Sequence, residues 1–209
     1  MTEPPPRIIG RTSSSFTRVA RIFAHELDVA YGFVSVRDLL SLDPADYAGN
    51  PALKLPSLET DTAAWYGSLN ICRELARRSQ RQLRIVWPEH LERPLAANAQ
   101  ELALQAMSSE VAIIMGQSAA GGADNPHQQK LRASLTNSLA WLNAKLPRIL
   151  EELPQDRQLS YLEVTLFCLI THLPFRGVLN TDEYPELNRL ASAHEARPSA
   201  AATYYHFQS

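Results

Sequence analysis

Three hydroxyls stand in a row at Ser13, Ser14 and Ser15, directly before a run of helical periodicity. At a helix N-terminus the free N–H groups and the helix dipole favour an anion. This loop can therefore donate a hydrogen bond to a negatively charged group. No His or Asp lies nearby in sequence to deprotonate a serine, so the hydroxyl is a donor and not a nucleophile. Simple capping of the helix is the alternative use. A second patch is Lys54-Leu55-Pro56-Ser57-Leu58. Proline cannot donate to a sheet ladder. A cis Pro56 would turn the N–H and C=O of Leu55 outward, an edge with which an extended peptide can pair. The alternative is an ordinary edge or turn proline. The third is Ser68, which opens a helix whose hydroxyl and free N–H groups make an anion site, or else simply caps it. Cys72 and Cys168 are the only cysteines. Both lie in apolar helical surroundings and read as buried thiols of a reducing cytoplasm, not as a disulfide. Neither has a second Cys or His at metal-ligand spacing, so no metal site is expected.

The elements that must position these residues follow from periodicity. Arg7 to Ile9 is a short strand cut off at Gly10. Phe16, Val19, Ala20, Phe23 and Leu27 recur at helical spacing. Val29 to Val36 is rich in β-branched and aromatic residues and reads as a second strand, completing a βαβ unit. Lys54 to Glu59 is a strand interrupted by Pro56, and Ala63 to Tyr66 pairs back on it. The helix from Ser68 carries Leu69, Cys72 and Leu75 on one face. A charged linker runs from Arg77 to about Pro94. Beyond it the pattern predicts helices only. One carries Ala99, Ala103, Met107, Val111 and Ile114 and ends near Gly121-Gly122. A second carries Leu131 to Leu146 and stops at Pro147. Ser160 and Glu163 form a capping box ahead of a helix apolar nearly all round, the expected buried centre. Pro185 marks a last helix start.

Composition excludes several classes. The chain has 209 residues, 45% of them hydrophobic, and a net charge of -2. That balance gives no electrostatic case for nucleic acid or an anionic membrane. No apolar run is long enough to span a bilayer. The first residues lack the basic and apolar regions expected of a secretory signal.

Taken in order, four stretches resemble the glutathione transferase superfamily, over about residues 7 to 204. Ser14-Ser15-Phe16 with Arg18 and Arg21 is similar to its Ser/Cys-Pro-Phe/Tyr-x-x-Arg segment. Asn50-Pro51 with Lys54-Leu55-Pro56-Ser57-Leu58 is similar to Asn-Pro-x-Gly-Lys-Val-Pro-x-Leu. Gly67-Ser68 stands where the family has Glu-Ser. Ser160-x-x-Glu163, with Ala196-Arg197-Pro198-Ser199 near the end, is similar to its helical-domain cap.

The resemblance implies an α/β plus all-α protein. A thioredoxin-like βαβ-ββα domain that binds glutathione, residues 1–80, would precede an all-helical domain, residues 92–209, which would supply the electrophile pocket. Ser14 would donate to the glutathione thiolate, with Ser13 and Ser15 close enough to compete. Leu55 and Pro56 would hold the cysteinyl part, and Ser68 the γ-glutamyl carboxylate. Lys54 would pair with the glycyl carboxylate or stand solvated. Trp141, Tyr204 and His206 would line the second pocket or simply pack. Departures are Leu53 for Gly, Ser15 for Pro and Gly67 for Glu. The last removes the partner of the ligand's ammonium group, a contact worth about 1.5–3 kcal/mol. Gly67→Glu is expected to restore it and tighten binding.

The implied activity is attack of glutathione thiolate on a small apolar electrophile by a cytoplasmic homodimer that engages neither nucleic acid nor membrane. A non-catalytic protein using the fold for binding or assembly is the alternative, and Gly67 favours it. Thiol–disulfide exchange runs against Ser at position 14 and Cys72 inside a helix. A thiol of pKa about 8.5 is roughly 3% ionised at neutral pH, and lowering it by about 2 units takes about 2.7 kcal/mol. Lost nucleophilicity leaves a gain of only a few-fold. Positioning of the thiolate must supply more.

Overall fold

The computed structural model describes residues 4–119 and 125–207. The chain divides into two compact units. One runs to Leu83 and takes in the chain from Ala196 onward; the other is Arg84–Glu195.

The first unit contains β1 (Arg7–Gly10), α1 (Ser15–Glu26), β2 (Gly32–Ser35), β3 (Ser57–Glu59), β4 (Ala64–Tyr66) and α2 (Ser68–Arg78). The sheet order is β2-β1-β3-β4, with β2 parallel to β1 and β3 antiparallel to both its neighbours. This is the thioredoxin-like arrangement. Ile8 and Leu58 face each other in the ladder and are fully buried, as are Val19 and Phe23 of α1 and Ile71 and Leu75 of α2. Ile9 points to the other face and joins Val36 and Tyr47, with Ala48, Leu53 and Leu55 packed around them. The Tyr47 hydroxyl donates to the carbonyls of Leu39 and Ser41, at 3.2 and 3.1 Å, pinning the long segment between β2 and β3. Burial, and then Asp38 and Asp46, push the Tyr47 pKa up. The strand expected from Lys54 begins only at Ser57, after the proline that cannot donate to a ladder.

The last stretch of the first unit is α7 (Pro198–Ala201) and its tail. Arg197 donates through Nε and Nη2 to the Glu26 carboxylate, both at 2.9 Å, and the Ser199 hydroxyl joins them. Arg21 Nη2 donates to the Ala202 carbonyl at 3.3 Å. Sequence reading assigned residues 92–209 to one domain. The chain from Ala196 instead packs with the first unit, through ion pairing to Glu26 that hydrophobic periodicity does not register.

The second unit contains β5 (Ile85–Val86), α3 (Pro94–Ala119), α4 (Pro126–Glu152), β6 (Leu159–Ser160), α5 (Tyr161–Phe175) and α6 (Pro185–Glu195). It is helical but not helix alone, because β5 and β6 pair in parallel. Arg84 and Gln158 set that register: the Arg84 N–H donates to Gln158 Oε1 and its C=O accepts from the Gln158 N–H, both at 3.0 Å. Helix α5 is buried along nearly its whole length, as its composition predicts. Its cap is half the expected box. Ser160 Oγ accepts from the Glu163 N–H at 3.4 Å, but the Glu163 carboxylate takes Arg157 Nε and Nη2, at 2.6 and 2.9 Å. A charged fork outcompetes a backbone N–H for a carboxylate. Pro185 opens α6 as expected, and Asn143 Oδ1 accepts the Glu186 and Leu187 N–H groups at 2.9 and 3.3 Å. Gly121 and Gly122, expected to end α3, lie outside the described residues.

Pro147 does not stop α4, which continues to Glu152. Leu142, Leu146 and Ile149 are buried to within 1% and bind one stripe of the helix to the core on both sides of it. Their burial outweighs the lost hydrogen bond to the Asn143 carbonyl. Cys72 and Cys168 are both buried and are not joined in a disulfide. Among the described residues no helix is long and apolar enough to cross a membrane, and no group of His, Cys, Asp and Glu can hold a metal ion.

Pro147 is exposed, so removing it disturbs no core. Pro147→Ala should stabilise the protein by about 2–2.5 kcal/mol: helix interiors prefer Ala by about 3, offset by about 0.4–1 of unfolded-state entropy that proline suppresses. Denaturant titration of both chains checks this.

Candidate functional site

Register decides which loops meet. Ile9 pairs with Ser57, and Ser57 pairs with Tyr66. The residues one step beyond are Gly10, Pro56 and Gly67, so they lie side by side at one end of the sheet, a strand spacing of about 4.8 Å apart. The Gly67 N–H donates to the Pro56 carbonyl at 3.2 Å and locks two of them together. Because β1 and β4 both run antiparallel to β3, they run parallel to each other and end at the same edge. Each leads straight into a helix. The N-termini of α1 and α2 therefore open at one end of one sheet, outside the carboxyl ends of the strands, where α/β folds place ligands.

Each loop has its local cause. A Cβ on Gly10 would lie 2.5 Å from Thr17 Cγ2, so only glycine lets the strand end approach the first turn of α1 this closely. A turn then closes with the Ser14 N–H donating to the Arg11 carbonyl at 3.1 Å. Ser14 is the N-cap, with φ -108° and ψ 126°, and its Oγ accepts from the Thr17 N–H at 3.3 Å. Capping occupies a lone pair of that oxygen and leaves its O–H to donate elsewhere. Ser13 and Ser15 are buried, with 6% and 1% exposure, whereas Ser14 is half-buried. The Ser15 and Thr17 hydroxyl oxygens are buried without a hydrogen-bond partner among the described residues.

The Leu55–Pro56 peptide is cis, as expected from the sequence. Pro56 is buried and Leu55 half-buried. Asn50, itself 5% exposed, donates through Nδ2 to the Lys54 carbonyl at 2.9 Å, which fixes the approach to the cis peptide. The Lys54 residue is exposed.

At α2 the structure corrects two expectations. Ser68 is the first helical residue and not the cap; Gly67 holds the cap position and offers no side-chain hydrogen bond. The first intrahelical bond runs from the Ile71 N–H to the Gly67 carbonyl at 3.1 Å, and the Asn70 side chain turns back to the Tyr66 carbonyl at 3.2 Å. The cap position thus offers no side chain to the first turn of α2, where Ser68 is 6% exposed. Gly67 has φ +81° and ψ 144°. A Cβ there would meet nothing within 4 Å, so space is free, but the backbone conformation is one that glycine adopts without strain and other residues do not. The expected gain from Gly67→Glu is therefore opposed by a backbone cost.

Ser14, Leu55, Pro56, Gly67 and Ser68 come together in the first unit. Trp141 is half-buried on α4 in the second unit. Tyr204 and His206 lie on the tail of the first, with ring centroids 5.3 Å apart. Sequence reasoning missed that the Thr12 hydroxyl donates to the His206 carbonyl at 2.8 Å, tying the tail to the serine turn. No spacing rule links residues so far apart. A groove of about 480 Å³ lined by Arg7, Val34, Arg37, Asp46 and Glu59, among others, includes none of the candidate site residues named from the sequence.

Residues 13–78 match the family model described as the glutathione S-transferase N-terminal domain. Solved structures resemble the whole chain. One is a glutathione S-transferase from Methylobacillus flagellatus KT with GSH bound: 23% identity, TM-score 0.78, covering 96% of this chain and 100% of its own. A second, from Methylobacterium radiotolerans JCM 2831 in complex with glutathione sulfonate, has 21% identity and TM-score 0.79, covering 99% and 97%. A third, a glutathione transferase family member from Pseudomonas fluorescens Pf-5 with bound glutathione, has 20% identity and TM-score 0.75, covering 96% and 99%. None of the curated proteins compared with it matches the chain in sequence.

Because the Gly67 backbone and not its surroundings sets the limit, Gly67→Ala and Gly67→Glu should destabilise the protein alike, each by about 1–3 kcal/mol. Thermal unfolding of the pair tests this. A loss for Glu alone would place the cost in the side chain's contacts instead.

Proposed function

We propose that this chain, whose fold is that of the glutathione S-transferases, binds glutathione at the strand ends of its first unit and uses the thiolate on a small apolar electrophile. The observation that carries the reading is the convergence of two helix N-termini and the cis Leu55–Pro56 peptide on one sheet end. The family match over residues 13–78 and the glutathione-bound structures of similar fold support it.

The roles follow from the chemistry of each group. The main chain of Leu55 beside cis Pro56 pairs with the cysteinyl part of the tripeptide, as an edge strand would. The uncapped first turn of α2, with Ser68, takes the γ-glutamyl carboxylate. Lys54 reaches the glycyl carboxylate from the same loop. Ser14 donates its free O–H to the thiolate, in the field of the α1 N-terminus. The thiolate then forms a carbon–sulfur bond with the electrophile while the leaving group departs with the electron pair. A homodimer in the cytoplasm completes this reading. The absent carboxylate at Gly67 favours a second one, a binding or assembly protein that retains the fold without turnover.

Ser14→Ala should lower kcat/KM with a model aryl halide by about 10–100-fold, the cost of one donor to a charged sulfur. Ser13→Ala and Ser15→Ala should cost less, since both residues are buried. Equal small losses in all three would support capping alone. Calorimetry with glutathione separates the two readings: binding with turnover supports the enzyme, binding without turnover the second reading, and no binding overturns the glutathione site.

A further inference from the structure

We infer that Thr12 is a positioning residue for Ser14, and that the chain's own C-terminal tail, through the His206 carbonyl, holds the serine turn in its donating geometry. This rests on the glutathione reading of the site.

Thr12 is 6% exposed and sits inside the turn closed by the Ser14 N–H and the Arg11 carbonyl. Its hydroxyl donates to the His206 carbonyl at 2.8 Å. That bond fixes the turn to a backbone atom far away in sequence. The Ser14 Oγ has, by comparison, a long 3.3 Å bond to the Thr17 N–H, so the helix alone holds it weakly. A donor to a thiolate must be placed to within about 0.5 Å, and rigid supporting contacts supply that precision.

The tail is itself firmly held, which lets it act as a fixed point. Glu26 accepts from Arg197 and Ser199 at the far end of α1. Thr203 is fully buried and donates through Oγ1 to the Ser199 carbonyl at 2.7 Å. Arg18 Nη2 donates to the Ala200 carbonyl at 3.4 Å, and the Arg18 guanidinium lies 4.3 Å from the centroid of the Tyr205 ring, a cation–π contact. The tail thus tracks α1 from its C-terminal end back to the serine turn, anchored on three of its side chains before Thr12 engages it.

The test uses full-length variants and the ultraviolet absorbance of bound glutathione thiolate against pH, with glutathione affinity measured alongside. Thr12→Val removes the donor at nearly constant shape and should raise the apparent thiol pKa by about 0.5–1 unit, leaving affinity within about 3-fold. Thr12→Ser keeps the hydroxyl and should return the pKa to the wild-type value. Tyr205→Ala loosens the tail without touching the turn and should give a smaller shift in the same direction. Combined with Thr12→Val it should add nothing, since both act through one bond. An unchanged pKa in a folded, glutathione-binding Thr12→Val protein overturns the inference, as do additive effects in the double variant. Failure of the wild type to bind glutathione would instead overturn the site reading on which it rests.

Discussion

The placement of the site depends on one register, Ile9 against Ser57 against Tyr66. A slip of one residue would turn every side chain of a strand to the opposite face. Leu58 would leave the core and Glu59 would enter it. The fully buried Ile8 and Leu58 oppose that slip with several kcal/mol of apolar burial. The same hydrophobic preference that aligns the strands therefore aligns their ends. Gly10, Pro56 and Gly67 are neighbours because the residues before them are packed, not because they attract one another.

With the strand ends fixed, the two helices deliver partial positive charge to a common point. Their first turns are treated differently. Helix α1 is rich in hydroxyls: Ser14 caps it, while the Ser15 and Thr17 oxygens are buried with no hydrogen-bond partner among the described residues. Helix α2 has no side-chain cap. Orphan N–H groups carry a free-energy cost unless water or a ligand meets them. An anionic ligand at this end would add a partner at α2, whereas at α1 Ser14 already accepts from the Thr17 N–H. In the proposed glutathione reading the thiolate would take the O–H of Ser14, and the carboxylate the first turn of α2.

Much of this was legible in the sequence where one residue type imposes one conformation. Proline after Leu55 marked the cis peptide, glycine at 10 the end of β1, proline at 185 the start of α6, and an apolar circumference the burial of α5. What was illegible depends on competition between distant partners. Pro147 looked like a stop, but helix packing on both sides outweighs one missing hydrogen bond. Glu163 looked like half of a capping box until Arg157 claimed it. The tail looked like part of the helical domain, but Arg197 and Glu26 find each other across the chain and hold it to the first unit. The candidate site residues lay between these cases. The cis peptide and the two helix starts were readable, but which of Gly67 and Ser68 caps α2 was set by a single dihedral angle.

That dihedral also reweighs the missing carboxylate. Read as sequence, glycine in place of glutamate is a loss of one charged contact, about 1.5–3 kcal/mol. Read with φ +81° and ψ 144°, a glutamate at this position would carry backbone strain of about 1–3 kcal/mol, and the family's side chain would have to work against it. Glycine gives up the contact and the strain together. The strain is a cost to the fold and the contact a gain to the complex, so the exchange favours stability of the free protein and weakens the complex. If glutathione binds here as proposed, the main-chain and helix-terminal groups would still meet the peptide and its thiolate, and the γ-glutamyl ammonium would lack a carboxylate partner at position 67. The second reading draws its support from affinity at that one end of the ligand. The enzyme reading draws on the serine turn, which Gly67 does not touch.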